Sequence, residues 1–316
     1  SRQGNASATV AVAGTPQVDY GGQGGLGDVI FHPDFAHNRI VYLSWVEAAE
    51  GDTRGAVVGR ARLSPEGSPP RLEGLQVIWR QQPKLDGRGH FGHRLAFSPD
   101  GRYLFISSGE RQHFDPAQDM RANLGKILRL NPDGTVPADN PFYNQRADST
   151  VAGEIWTLGH RNPLGLAFDG AGRLWEIEMG PAGGDELNLI ERGRNYGYPI
   201  VSNGDHYDGR PIPDHPTRPE FAPPKVWWTP VISPGDMIVY SGGLFPQWRG
   251  DILVAGLSSK ALVRVDLEGT NAHEAQRWDM GQRIREVEQG PDGAVYLLED
   301  SDEGRGGRLL RLTPAR

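Results

Sequence analysis

His90 and His93 stand three residues apart in Gly87-Arg88-Gly89-His90-Phe91-Gly92-His93-Arg94-Leu95, a loop running into an apolar segment. A loop that feeds an inner strand can reach a place where a ligand would sit. The pair also suggests metal ligation, but no third ligand stands at zinc-like spacing, and a lone histidine is more often structural. Thr157-Leu158-Gly159-His160-Arg161-Asn162-Pro163-Leu164-Gly165 sets Arg161 beside Asn162 ahead of a proline. A guanidinium is a permanent planar cation with a fork that matches a carboxylate, which suits this turn to an anionic ligand. The stretch from Glu178 to Asn188 joins a Gly-Pro loop to several carboxylates. That mixture of carbonyl and side-chain oxygens is what calcium prefers. In Arg283-Ile284-Arg285, strand alternation puts both guanidiniums on one face, and a solvated face accounts for them equally well. The glycines of Tyr20-Gly21-Gly22-Gln23-Gly24-Gly25-Leu26-Gly27-Asp28 are dense enough to cradle phosphate, yet no P-loop lysine follows. A tight bend entering a strand explains them and leaves Gln23 unexplained.

These loops need a scaffold, and a repeated phrase supplies one. An apolar strand, a Pro-Asp or Gly turn and a second Leu/Tyr/Ile-rich strand recur, as in Val29 to Asp34 followed by Ile40 to Ser44. Further copies are Leu95 to Gly101 with Tyr103 to Ile106, Leu166 to Gly170 with Arg173 to Trp175, and Glu288 to Gly293 with Val295 to Leu298. The first three end their leading strand at Phe31, Phe97 and Phe168, 66 and 71 residues apart. Each copy reads as a hairpin, and hairpins repeated radially protect one another's edges. The expected fold is therefore all-β, a β-propeller of five or six blades forming one domain over residues 1–316. Helix signals are weak, with one short turn expected within Asp115 to Leu124.

Composition agrees. The 316 residues include 43 glycines and 25 prolines, too many for a helical protein and apt for frequent turns. A hydrophobic content of 37% supports a core and excludes wholesale disorder. The net charge of −7 argues against nucleic acid as a partner, and no apolar run approaches the ~20 residues of a membrane span. With no cysteine, disulfides and thiolate chemistry are excluded.

The blocks Gly22-Gln23-Gly24-Gly25-Leu26, Phe31-His32-Pro33-Asp34-Phe35, His90-Phe91-Gly92, Gly159-His160-Arg161-Asn162-Pro163, Gly180-Pro181, Asp185-Glu186, Asn195-Tyr196-Gly197 and Arg283-Ile284-Arg285 occur in this order. Together they resemble the soluble sugar dehydrogenases that depend on pyrroloquinoline quinone (PQQ), and above all the aldose sugar dehydrogenase branch. The resemblance runs from about residue 20 to the C-terminus and implies a six-bladed propeller with quinone and calcium at its central mouth. It implies oxidation of the C1 hydroxyl of aldoses to lactones by base-assisted hydride transfer, with His90 as base. Gln23 would lie beside quinone and sugar, Arg161 would face the quinone carbonyl, and Asn162 would bind the cofactor. Arg283 and Arg285 would hold cofactor carboxylates, while the Gly180 and Pro181 carbonyls would bind calcium. Glu186 and the Tyr196 carbonyl would bind a second, structural calcium. The remaining implied partners are an aldose and an external electron acceptor, for a periplasmic or secreted monomer or dimer whose leader is not in this chain.

Three departures stand out. Glu110 replaces the aspartate of the glucose-specific branch near the base. The cofactor lysine falls on Ser258 in register, with Lys260 two residues on and on the same strand face. The Gly-Gln-Gly block comes early, which leaves two expectations: one N-terminal blade is incomplete, or the missing stretch has been lost from this chain. The competing functions are a non-enzymatic propeller that binds a ligand or protein, which need not keep a base and arginines, and a calcium-dependent lactonase. The lactonase would centre carboxylate or asparagine ligands where this chain offers histidine and arginine.

Overall fold

The computed structural model describes residues 10–64, 69–147, 150–301 and 306–315. Its strands form five antiparallel sheets, each from consecutive strands. Sheet 1 holds β1 (Leu26–Phe31), β2 (Ile40–Ala48), β3 (Arg54–Ser64) and β4 (Arg71–Arg80). Sheet 2 holds β5 (Gly92–Phe97), β6 (Leu104–Ser108), β7 (Lys126–Leu130) and β8 (Ile155–Leu158). Sheet 3 holds β9 (Pro163–Phe168), β10 (Leu174–Glu178), β11 (Asp185–Ile190) and β12 (Val226–Trp228). Sheet 4 holds β13 (Pro234–Val239), β14 (Ile252–Gly256), β15 (Ala261–Glu268) and β16 (Asn271–Asp279). Sheet 5 has three strands, β17 (Arg283–Gln289), β18 (Val295–Asp300) and β19 (Leu309–Leu312).

The first strands pack in succession, β1 on β5, β5 on β9, β9 on β13 and β13 on β17, which makes a β-propeller. The expected hairpins are present, and Phe31, Phe97 and Phe168 end β1, β5 and β9. The blade number differs from the expectation: the described residues form five, not six. A repeat of 66 to 71 residues, measured between those phenylalanines, leaves room for no more than five in this length. The unrecognised hairpin is β13–β14, whose connection carries a 3₁₀ turn at Pro246–Trp248 in place of a Pro-Asp-Gly reversal. The helical turn expected after Asp115 is a 3₁₀ turn over Asp115–Ala117.

The core lies between sheets. Tyr42, Val46, Leu104 and Leu128 join sheets 1 and 2, and Phe105, Ile127, Leu174 and Ile190 join sheets 2 and 3. Trp175 and Ile177 meet Val254 and Val263 between sheets 3 and 4, while Tyr240 and Leu253 meet Ile284 and Val295 between sheets 4 and 5. Strands covered on both faces lose the apolar-polar alternation, and β6 and β7 are buried throughout. Near the axis Arg94 of β5 clasps other first strands. Its Nη1 and Nη2 donate to Glu286 Oε1 at 2.6 Å and Oε2 at 3.1 Å, and Nη2 also donates to the Gly235 carbonyl at 2.8 Å. Asp28 of β1 accepts the Leu95 amide at 2.9 Å. Among the described residues no helix is long and apolar enough to cross a membrane.

Candidate active site

Loops entering the first strand of each sheet and leaving the second open at the same end of the propeller. His90 lies just before β5, Glu110 just after β6, Arg161 just before β9 and Gly180 just after β10. They converge. His90, Glu110, Arg161 and Pro181 line a cavity of about 240 Å3, with Gln112, Phe114, Tyr198, His206, Tyr207, Asp208 and Arg210 as its other walls.

His90 is buried, and its Nδ1 is hydrogen-bonded to Glu110 Oε1. Glu110 is fully buried and accepts the Phe114 amide on Oε2 at 2.9 Å. The Gln23 Oε1 accepts the His90 backbone amide at 2.8 Å, so the glutamine holds the base loop itself. Gly22 permits this, because a Cβ there would lie 2.6 Å from the Arg88 carbonyl oxygen. Burial holds the His90 pKa below its ordinary 6.5; the Glu110 hydrogen bond opposes this, and the Arg161 and Arg111 charges reinforce it. The imidazole is thus kept neutral and able to accept a proton.

Arg161 is buried and donates through Nη1 to the carbonyls of Met179 at 3.0 Å and Gly180 at 2.7 Å, and through Nη2 to the Tyr207 hydroxyl at 3.3 Å. Its backbone amide donates to Glu178 Oε2 at 2.5 Å. Arg161 Nε and Asn162 Oδ1 are buried without a hydrogen-bond partner among the described residues, an adjacent donor and acceptor suited to a polar ligand. Lys260, Arg283 and Arg285 belong to the same end of the propeller but do not line this cavity. Lys260 is exposed in the β14–β15 turn. Arg285 Nη2 donates to Asp300 Oδ2 at 2.6 Å, and Arg283 Nη2 lies 3.5 Å from the same oxygen, so the two guanidiniums do share a face.

Behind Arg161 lies a second cavity of about 10 Å3, lined by Glu178, Gly180, Pro181, Glu186, Tyr196 and Ser202 among others. Gly180 is tightly enclosed, because a Cβ there would meet the Gly184 carbonyl oxygen at 2.2 Å. Two carboxylates and several main-chain carbonyls around a space of atomic size fit a hard cation. The Gly180 carbonyl already accepts from Arg161 and retains a second lone pair. Next to it His160, Glu176 and Glu178 form a buried group close enough to share an ion. Asn188 Nδ2 bridges Glu176 at 3.1 Å and Glu178 at 3.2 Å. Burial, with the Glu178 charge behind it, pushes the Glu176 carboxyl well above the ordinary range. Burial likewise raises Asp185 to about 6, although it accepts the amides of Gly180, Ile232 and Ser233.

His93 belongs to the packing. It is buried, bonds Ser44 Oγ at 2.9 Å and meets the Phe91 ring edge-on. Sequence reasoning missed Tyr198, His206, Tyr207 and Arg210, which come from the long 191–225 connection between β11 and β12. Their signal was that connection's length and its Gly, Pro and aromatic content. The segment 226–236 forms β12 and the entry to β13 and stays outside the cavity.

The glucose/sorbosone dehydrogenase family model matches residues 2–311. The aldose sugar dehydrogenase YliI of Escherichia coli (strain K12) is 38% identical over 310 residues, covering 96% of this chain and 81% of that protein. A solved glucose dehydrogenase is 44% identical with a TM-score of 0.89, covering 97% of this chain and 88% of the other. The PQQ-bound aldose sugar dehydrogenase of Streptomyces coelicolor is 29% identical with a TM-score of 0.73, over 94% and 82% of the two chains. A likeness that spans nearly the whole chain, in sequence and in backbone, places this enzyme in the glucose/sorbosone dehydrogenase family.

Proposed function

We propose that the chain oxidises the C1 hydroxyl of aldose sugars to lactones, with PQQ as electron acceptor and calcium at the site. The observation that carries this reading is the facing of a buried His90–Glu110 pair and a buried arginine, Arg161, across one cavity. PQQ, when bound, supplies a two-electron acceptor for hydride. The chain's own residues manage the proton and the charge. With Nδ1 committed to Glu110, the His90 proton sits on Nδ1 and the Nε2 lone pair takes the C1 hydroxyl proton. As the sugar C1–H leaves with its electron pair, the C1–O bond becomes a carbonyl and His90 becomes cationic. Glu110 then stabilises that cation. Arg161, held by two carbonyls, is a fixed positive charge for the oxygen on which negative charge develops.

Gln23 would hold the base loop and reach the sugar, while Asn162 would bind the cofactor beside Arg161. Lys260, Arg283 and Arg285 would meet its carboxylates, the charge-assisted pairing that three carboxylates require. The Gly180 and Pro181 carbonyls would hold the catalytic calcium, with Glu186 and the Tyr196 carbonyl around the second. An external acceptor would recover the electrons, for a protein working in the periplasm or outside the cell. The test adds PQQ and calcium to the purified chain and follows sugar-dependent dye reduction. Reduction with aldoses is expected; its absence with every aldose in PQQ-loaded protein would overturn the reading.

A further inference from the structure

The loops around His90 are held in conformations that side chains ordinarily avoid. Nine non-glycine residues among those described have positive φ; four of them, His90, Arg111, Gln112 and Phe114, lie in two facing loops, and a fifth, His93, lies at the start of β5. Left-handed backbone is unfavourable for a residue that carries a Cβ, so something must hold these loops. Gly109 lets them touch: a Cβ there would sit 2.2 Å from the His90 carbonyl oxygen.

Arg111 makes the remaining contacts. It is 1% exposed, and among the described residues its side-chain hydrogen bonds all go to main-chain carbonyls. Its Nε donates to the Gly89 carbonyl at 2.9 Å and its Nη1 to the Arg54 carbonyl at 2.6 Å. Its Nη2 donates to the carbonyls of Asp86 at 3.3 Å and Gly87 at 2.7 Å. Its backbone amide donates to the His90 carbonyl at 3.3 Å, and its guanidinium lies 3.9 Å from the Phe91 ring centroid. One side chain thus grips the residues before and after the base, while neighbouring Glu110 grips the imidazole.

We propose that Arg111 is a positioning residue for the base, fixing the strained His90 backbone through the carbonyls of the 86–89 loop and the Phe91 ring. This rests on the dehydrogenase reading, in which His90 is the base. The buried Arg111 charge also works electrostatically against protonation of His90. The other groups facing His90 are Glu110 and Arg161 and, across the cavity, Tyr198, His206, Tyr207, Asp208 and Arg210.

Two substitutions separate geometry from charge. Arg111→Lys keeps the charge but cannot reach four carbonyls at once, and Arg111→Met keeps the bulk but removes both. In PQQ-loaded protein, Arg111→Lys is expected to lower kcat about 10-fold or more with the sugar KM within threefold, because ~1 Å of misplacement is enough to cost that much. In cofactor-free protein, NMR titration of the His90 ring is expected to show an upward shift of its pKa in Arg111→Met and little change in Arg111→Lys. Wild-type kcat in Arg111→Lys would overturn the positioning role, and an unmoved His90 titration in Arg111→Met would overturn the electrostatic one. If Arg111→Met does not fold, the kcat-against-KM split and the titration of Arg111→Lys decide the positioning role. The ring titration needs no turnover, so failure of the dehydrogenase reading would appear separately, as inactive wild type with normal titrations.

Discussion

Replacing His90 separates proton transfer from cofactor binding. His90 stands at φ 48, where alanine would be strained, so asparagine is the better probe because it tolerates left-handed backbone. In His90→Asn the Gln23 bond survives, since it is made to the backbone amide. Glu110 keeps the Phe114 amide and loses its imidazole partner. A lost hydrogen bond to a charged group costs ~1.5–3 kcal/mol, so the variant should fold with that much less stability. Loss of a positioned base lowers kcat by roughly 10²–10⁴-fold. PQQ affinity, followed by the absorbance of the bound cofactor, should change less than about threefold, because Arg161 and the calcium site are untouched. The pH profile gives an independent check. A protonated imidazole cannot accept a proton, so wild-type kcat/KM should fall as pH drops through the His90 pKa, which burial holds below 6.5. His90→Asn should lack that acidic limb. A variant with wild-type kcat, or one whose whole defect is an empty cofactor site, would refute the assignment.

Chelation should abolish PQQ-dependent activity and added calcium should restore it; full activity after exhaustive demetallation would remove calcium from the mechanism. His93→Asn should leave kcat within a few-fold of wild type while changing acid stability. Burial depresses the His93 pKa to about 3, so the unfolded chain takes up its proton first as pH falls below 6.5. Stability should therefore be complete above that pH and decline below it, by up to ~1.4 kcal/mol per pH unit from this one group. Urea midpoints at pH 7 and 4.5 should show a shallower decline in the variant, and identical slopes would contradict this account. Arg94→Met leaves half-buried Glu286 without its bidentate partner and buried Asp236 without a nearby cation, and a fully buried pair broken in this way costs ~3–5 kcal/mol, which bounds the loss from above. A loss below 1 kcal/mol in urea unfolding would show that the axial clasp is not holding the sheets.

Local chemistry made much of this architecture readable. The Pro-Asp turn residues after Phe31 and Phe97 identify hairpins because they favour chain reversal wherever they occur. β13–β14 escaped because its connection carries a 3₁₀ turn rather than a short reversal. His90 and Arg161 were legible as chemistry-bearing types next to strand entries, and the structure brings them to one cavity. Arg111 was not, because its role depends on four carbonyls, three from the 86–89 loop and one from the start of β3, that no sequence spacing reveals. His160 likewise read as part of a motif, whereas its partners Glu176 and Glu178 are supplied by β10. The alternation that placed Arg283 and Arg285 on one face was correct, but Asp300, which meets both, comes from the neighbouring strand.

Among the described residues every sheet is built from strands adjacent in the chain, and none borrows a strand from another. During synthesis each sheet can therefore close once its last strand has emerged, with short loop closures of the kind that fold quickly. The cavity around His90 follows the opposite rule. Gln23, which holds the His90 loop, precedes sheet 1, His90 and Glu110 flank sheet 2 strands, and Arg161 and Pro181 flank sheet 3 strands. A nascent chain can hold several finished blades and still have no site at all. Ligand competence is then the last property to be acquired and, under partial denaturation, the first to be lost, while most strands keep their pairing.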